Sequence, residues 1–186
     1  MAIEVDSAIL SAMYHGKRDE AARLAAGATL TVWEAAALGA DDQLRTLIDG
    51  DAALANAVAA DGHTPVGLAA FFAKASTVRL LLDRGAGVTA AARNDMKVQP
   101  LHAAVAARNA EVVALLLERG ADPNARQQVG YTPLMGAAGA GRDDMVDLLL
   151  ARGADPSLAN DEGKTAADVA REHNHPALAD RLAVRS

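Results

Sequence analysis

The residues with the most chemical potential in this sequence are five histidines, the carboxylates near some of them and one Gly-Lys-Thr tripeptide. His173 and His175 lie a few positions from Asp168 and Glu172, and imidazole with carboxylate suits zinc or nickel. Their spacing makes no ligand set, however, and neighbouring histidines on a terminal helix are ordinarily solvated, so no metal is expected. Gly163, Lys164 and Thr165 end like a phosphate-binding loop, but that motif needs a glycine where this chain has Leu158. The tripeptide is better explained as a turn glycine ahead of a helix-capping threonine. Gly136, Gly139 and Gly141 suggest a nucleotide loop only superficially, because they fall along a helical stretch and not between a strand and a helix. No serine sits in a GxSxG elbow, and no HExxH or paired-carboxylate motif occurs. The absence of cysteine removes thiolate nucleophiles, disulfides and sulfur-ligated zinc. No catalytic residue, cofactor or metal is therefore expected, and the chain reads as non-enzymatic.

What the rest of the chain must build follows from its balance of residues. It has 186 residues, a formal charge of 18 − 24 = −6, and 51% hydrophobic residues, enough to bury a substantial core and exclude wholesale disorder. The acidity argues against a nucleic-acid partner, which would call for a basic stripe. No apolar run approaches the ~20 residues that span a bilayer, so no membrane partner is expected. The opening MAIEVDSAIL carries acids where a signal peptide places Lys or Arg, and a cytoplasmic address is the expectation. Alanine supplies 46 positions and aromatics only five, so the core must consist largely of small side chains that let backbones approach closely.

Such bias invites a search for internal repeats, and they are present. GHTPVGLAAFFAKASTVRLLLDRGA from Gly62, VQPLHAAVAARNAEVVALLLERGADPNA from Val98 and GYTPLMGAAGAGRDDMVDLLLARGADPS from Gly130 run in parallel. Pro65, Pro100 and Pro133 step by 35 and 33 residues, as do Gly85, Gly120 and Gly153. GKTAADVAREHNHPALADRL from Gly163 continues the register, and TVWEAAALGADDQLRTLIDG from Thr31 and AILSAMYHGKRDEAARLAAGA from Ala8 follow it more loosely.

Each unit decodes into helix, tight turn, helix and loop. Thr64 and Thr132 are N-caps followed by Pro65 and Pro133 at the first helical position. The first helix is short and alanine-rich and stops near Ala73, Arg108 or Gly141. The second opens with acids (Asp41, Asp42, Glu111, Asp143, Asp144) and closes on Arg84, Arg119 or Arg152, complementing the helix dipole. Leucine triplets supply its buried stripe, and Gly85, Gly120 and Gly153 its left-handed stop. Helices of this length are marginal alone, so cohesion must come from stacking on neighbours.

TPVGLAA, QPLHAAV, TPLMGAA, LLLDRGA, LLLERGADPNA and LLLARGADPS resemble the ankyrin repeat, whose signature is TPLHxAA followed by a leucine-rich helix ending in GAD. The resemblance covers about residues 29–182. It implies an all-α fold: an L-shaped ankyrin-repeat solenoid of stacked helix-turn-helix units with finger loops and a concave face. The expected organisation is one domain over 1–186, with an N-terminal capping unit at 7–28, repeats at 29–60, 61–94, 95–127 and 128–160, and a C-terminal capping repeat at 161–186. Departures are informative. Gln99 replaces the capping threonine, Lys97 takes the usual glycine position, and two residues are added to the loop ahead, making that finger the most individual. The resemblance gives His102 a structural hydrogen bond and places Trp33 at the family's buried histidine, where core packing is expected.

The family's concave face binds proteins, and catalysis by the repeats is very rare. Carried onto this chain, the partner-binding positions are His63, Phe71, Phe72, Met96, Lys97, Gln128, Tyr131 and Lys164. Three of five aromatics fall among them, and large aromatics on a wet surface are costly unless they bind something. The competing explanation is that Phe71 or Phe72 leans sideways to fill a gap among the alanines. The expected function is that of a cytoplasmic adaptor or regulator for an unidentified protein partner, monomeric by itself. Self-association through uneven caps is the alternative, with small-ligand or metal binding behind it.

Overall fold

The computed structural model describes residues 7–184. The first six residues, which include most of the opening stretch weighed as a signal peptide, lie outside it, as do the last two. Among the described residues are twelve α-helices in six pairs and no strand. The first helices of the pairs are α1 (Ala8–Tyr14), α3 (Val32–Leu38), α5 (Pro65–Phe71), α7 (Pro100–Ala106), α9 (Pro133–Gly139) and α11 (Ala166–Glu172). The second are α2 (Arg18–Ala25), α4 (Asp41–Gly50), α6 (Ala75–Asp83), α8 (Ala110–Glu118), α10 (Asp143–Ala151) and α12 (Pro176–Ala183). Each first helix packs on the next first helix along the chain, and α4, α6, α8 and α10 stack likewise, giving two helical layers.

Local chemistry sets each element. Ser7, Thr31, Thr64, Thr132 and Thr165 accept a hydrogen bond from a backbone N–H three residues on, satisfying one orphan donor per helix. Thr31 with Glu34 and Thr165 with Asp168 complete capping boxes where proline is missing. Gln99 makes no side-chain cap, and α7 relies on Pro100 alone. The first helices end two residues before Ala73, Arg108 and Gly141, which adopt left-handed φ of 58°, 55° and 63° and turn the chain into the second helix. The second helices stop as expected: Ala86, Ala121 and Ala154 donate back to Leu81, Leu116 and Leu149 across a left-handed glycine.

The alanines are spent between layers. Ala35, Ala36, Ala69, Ala70, Ala104, Ala137, Ala138 and Ala170 are fully buried together with Leu44, Leu81, Leu116, Leu149 and Leu182. Small side chains on the first helices let successive repeats close on each other, while the leucines fill the space between layers.

Polar bridges then tie repeat to repeat. Asn56 and Asn124 each reach into the following turn, donating to the carbonyls of Gly85 and Gly153 at 2.9 and 3.0 Å and accepting from the N–H groups of Gly87 and Asp155 at 2.8 Å. The arginines that end the second helices do more than complement a dipole: Arg84, Arg119 and Arg152 pair with Asp49, Asp83 and Glu118, each one repeat earlier. These pairs are largely exposed, so each contributes no more than ~1 kcal/mol.

The fingers are held by backbone. Each closes on itself, Ala92 N–H to the Val98 carbonyl and Gln127 N–H to the Tyr131 carbonyl at 2.9 and 3.0 Å. Each also binds the finger before it: Arg93 N–H donates to the Gly62 carbonyl at 2.8 Å, Gln128 N–H to Met96 at 3.0 Å and Asp161 N–H to Val129 at 3.1 Å. At Gly62, with φ of 86°, a β-carbon would lie 2.8 Å from the Arg93 carbonyl group, so only glycine admits this approach.

Candidate functional site

Fingers and first helices together form one face, and the side chains at the ends of α1, α5 and α7 shape it. Tyr14 closes α1 and Phe71 closes α5 at the same register, so stacking brings them side by side. Ring centroids lie 5.7 Å apart for Tyr14–Phe71, 5.2 Å for Tyr14–Phe72, 5.1 Å for Phe71–Phe72 and 6.3 Å for Tyr14–His63. The two phenylalanines diverge. Phe71 remains 43% exposed, whereas Phe72, one residue on and about 100° around the helix, packs on Leu10, Ala37 and Leu68. The sideways packing weighed against surface binding therefore describes Phe72, while Phe71 faces solvent.

Beneath Phe71 lies a mostly apolar cavity of about 290 Å³, enclosed by Tyr14, His63, Leu68, Met96, Val98, His102 and Ala106. Met96, 53% exposed, forms its rim on the finger side. Two further depressions, of about 370 and 330 Å³, continue from it past Ala106, Gln127, Tyr131, Gly139 and His173. His102 and Ala106 border the first cavity and the 370 Å³ depression, Met96 borders the first and the 330 Å³ one, and Gln127 borders all three. The three hollows thus form one continuous groove with an aromatic wall at one end and a floor of Ala106, Gly136, Gly139 and Ala140.

The expected binding residues divide between the two ends. His63, Phe71, Phe72 and Met96 meet at the aromatic end. Gln128, Tyr131 and Lys164 meet around the depression at the other. Lys164 is not free there: it pairs with Glu162 at 3.2 Å and Glu172 at 2.8 Å, and those carboxylates hold its pKa up. Half-burial, with the Glu172 carboxylate next, raises the Tyr131 phenol, Lys164 opposing. Lys97 is exposed on the finger beside Met96, outside the cavity lining.

Tyr14 escaped the sequence reading because it sits in the shortened first unit. The available signal was its register, seven residues after the cap Ser7 as Phe71 is seven after Thr64. Its hydroxyl is buried without a partner, and burial, with the Asp61 carboxylate second, pushes its pKa well above the usual phenol range. His102 carries a structural hydrogen bond as expected: its Nε2–H donates to the Ala125 carbonyl at 3.1 Å. Nδ1 is left without a partner, and burial holds the ring's pKa below the ordinary histidine value, the backbone hydrogen bonds opposing.

The position given to Trp33 needs correction. Glu34, three residues after Thr31, matches His102, three residues after Gln99; Trp33 matches Leu101. Trp33 is partly buried against the core, and its indole N–H is buried without a partner. Glu34 takes over the polar role, accepting from the Ser7 hydroxyl at 2.6 Å and from the Thr31 N–H and hydroxyl at 2.8 Å. Burial raises its carboxyl pKa, but these hydrogen bonds outweigh it and leave the group below its usual range.

Among the described residues no group of three or more His, Asp or Glu stands close enough to hold a metal ion. No helix there is long and apolar enough to cross a membrane. The face offers shape, apolar surface and a few charges. Comparison with known proteins accords with that architecture. A family model for ankyrin repeats in three copies matches residues 32–127, and a second, for ankyrin repeats in many copies, matches residues 118–170. No curated protein is a significant match. Periodic TP and GAD signatures, stacked helix pairs, bound fingers and two family models matching most of its length lead to one conclusion: the chain belongs to the ankyrin-repeat family.

Proposed function

We propose that this chain is a non-catalytic module that takes a protein partner along the groove formed by its first helices and fingers. Ankyrin repeats are generally protein–protein interaction modules. The observation that carries the assignment to this face is the exposed pair Phe71 and Met96 standing over a 290 Å³ apolar cavity. Binding energy concentrates where a large apolar anchor enters a desolvated pocket ringed by weaker contacts, and this cavity has the size and lining for one such anchor. Tyr131 and Gln128 extend the contact to the far end, and His63 lines the near one. Phe72 serves as support, because its ring is committed to the neighbouring repeats.

Affinity capture from native lysate tests this reading, with the wild type beside a Phe71→Asp, Met96→Asp double variant of the full chain. Both side chains are exposed, so the variant is expected to fold and to lose the captured protein. A partner retained equally by both would show that another surface does the binding.

A further inference from the structure

Repeat 95–127 carries a cation at each of its two left-handed positions, Lys97 on the finger beside Met96 and Arg108 in the turn that lines the neighbouring depression. Left-handed φ is required at the finger, where the other repeats use Gly62, Gly130 and Gly163, and at the turn between helices, where they use Gly16, Gly39, Ala73, Gly141 and Asn174. Here the occupants are Lys97, with φ of 50°, and Arg108, with φ of 55°. A β-carbon in that region costs roughly 1 kcal/mol or more, so these long side chains stand where the backbone disfavours them. Both are exposed, and neither side chain has a hydrogen bond or ion pair among the described residues. Arg84, Arg119, Arg126, Arg142, Arg152 and Arg181 are all paired, while Arg18, Arg23, Lys74 and Arg79, which have no ion pair among the described residues either, line none of the hollows.

Their placement is complementary. Lys97 and Arg108 bracket α7, a helix about 10 Å long at ~1.5 Å per residue. Between them lies the apolar cavity, bounded by Met96 and Val98 on the finger side and by Ala106 at the helix end. Its wall includes His102, which is only 6% exposed. Arg93 adds a third unpaired cation to the finger edge; Asp61 and Asp95 are the acids there, and the Asp61 carboxylate already accepts the His63 N–H.

Resting on the groove reading above, we propose that this repeat recognises an extended acidic segment of its partner, in which an apolar side chain fills the cavity and flanking carboxylates pair with Lys97 and Arg108. Side chains at i, i+2 and i+4 of an extended chain share one face and span about 13 Å at ~3.3 Å per residue. The matching pattern is therefore acid-x-apolar-x-acid.

Fluorescence anisotropy on the full chain tests this with labelled peptides of fixed flanks containing Glu-Ser-Leu-Ser-Glu, Gln-Ser-Leu-Ser-Gln, Lys-Ser-Leu-Ser-Lys and Glu-Ser-Ser-Ser-Glu. The first is expected to bind about tenfold tighter than each of the others, with the advantage shrinking as salt rises. Lys97→Gly and Arg108→Gly each remove a cation and relieve the left-handed strain, so each is expected to weaken that peptide several-fold while leaving the melting temperature unchanged or higher. Equal affinity for the Glu and Gln peptides, no binding by any peptide, or glycine variants that bind as well as wild type would overturn the inference. A dimer in sedimentation that Arg108→Gly abolishes would also overturn it, placing a second copy in the groove. If charge proves irrelevant while lysate capture still depends on Phe71 and Met96, the acidic segment alone is wrong; if neither matters, the groove reading falls with it.

Discussion

Two glycines with nearly the same left-handed backbone separate the cost of conformation from the cost of contact. Gly62 has φ of 86° and Gly85 has φ of 85°, so replacing either by alanine imposes the same backbone penalty, ~1–2 kcal/mol. The added methyl meets very different surroundings. At Gly85 nothing lies within 4 Å, whereas at Gly62 the Arg93 carbonyl carbon and oxygen are both 2.8 Å away. Those atoms are backbone of the next finger and are fixed by the 2.8 Å hydrogen bond from Arg93 N–H to the Gly62 carbonyl, so a rotamer change cannot relieve the clash. Overpacking of this kind adds ~1–3 kcal/mol, giving roughly 3 kcal/mol for Gly62→Ala against at most about 2 for Gly85→Ala. Urea denaturation of both variants measures the difference directly. Loss of the finger contact should also deprotect the Arg93 amide in hydrogen exchange only in Gly62→Ala. Equal destabilisation, with Arg93 protection unchanged, would refute the close stacking of fingers that shapes the groove.

Further outcomes follow from the same packing. Leu116→Ala and Leu149→Ala, both fully buried between layers, are expected to cost ~2–5 kcal/mol in urea denaturation. Phe72→Ala should destabilise by about 3 kcal/mol and Phe71→Ala by clearly less, because only Phe72 is held among Leu10, Ala37 and Leu68; a reversed order would remove Phe71 from the groove. His102 titrates below its ordinary value because burial favours the neutral ring, so the unfolded chain takes up the proton first. Stability is therefore full above about pH 6.5 and falls as pH drops from there through the lowered folded value, a slope that thermal melts should show and His102→Asn should abolish. The depressed carboxyls of Glu34 and Asp168 act in a separate, more acidic window: their stabilisation is complete above the unfolded value near pH 4 and is lost below it.

Much of the architecture was legible in the residues because repetition makes local signals reinforce one another. Thr64-Pro65 and Thr132-Pro133 announce helix starts, and Gly85, Gly120 and Gly153 announce stops, through interactions that span no more than six residues. Asn124 of the GADPN turn was visible, but its bridge to the next repeat was not, since Asn124 and Gly153 are 29 residues apart. The second-helix arginines likewise matched a dipole in the sequence and turned out to pair across repeats.

The groove was the least legible part, for a geometric reason. Phe71 and Phe72 are adjacent in sequence, and only the phase of α5 against its neighbours decides that one faces solvent and the other the core. Tyr14 reaches their rings from another repeat because the alanine-lined first helices stack closely, a distance that no local pattern encodes. Sequence alone thus determined the repeat, its caps and its stops, all of which are set by bonds between near neighbours. Tertiary structure decided which side chains share the groove, because that depends on how rigid helix pairs rotate and close on one another.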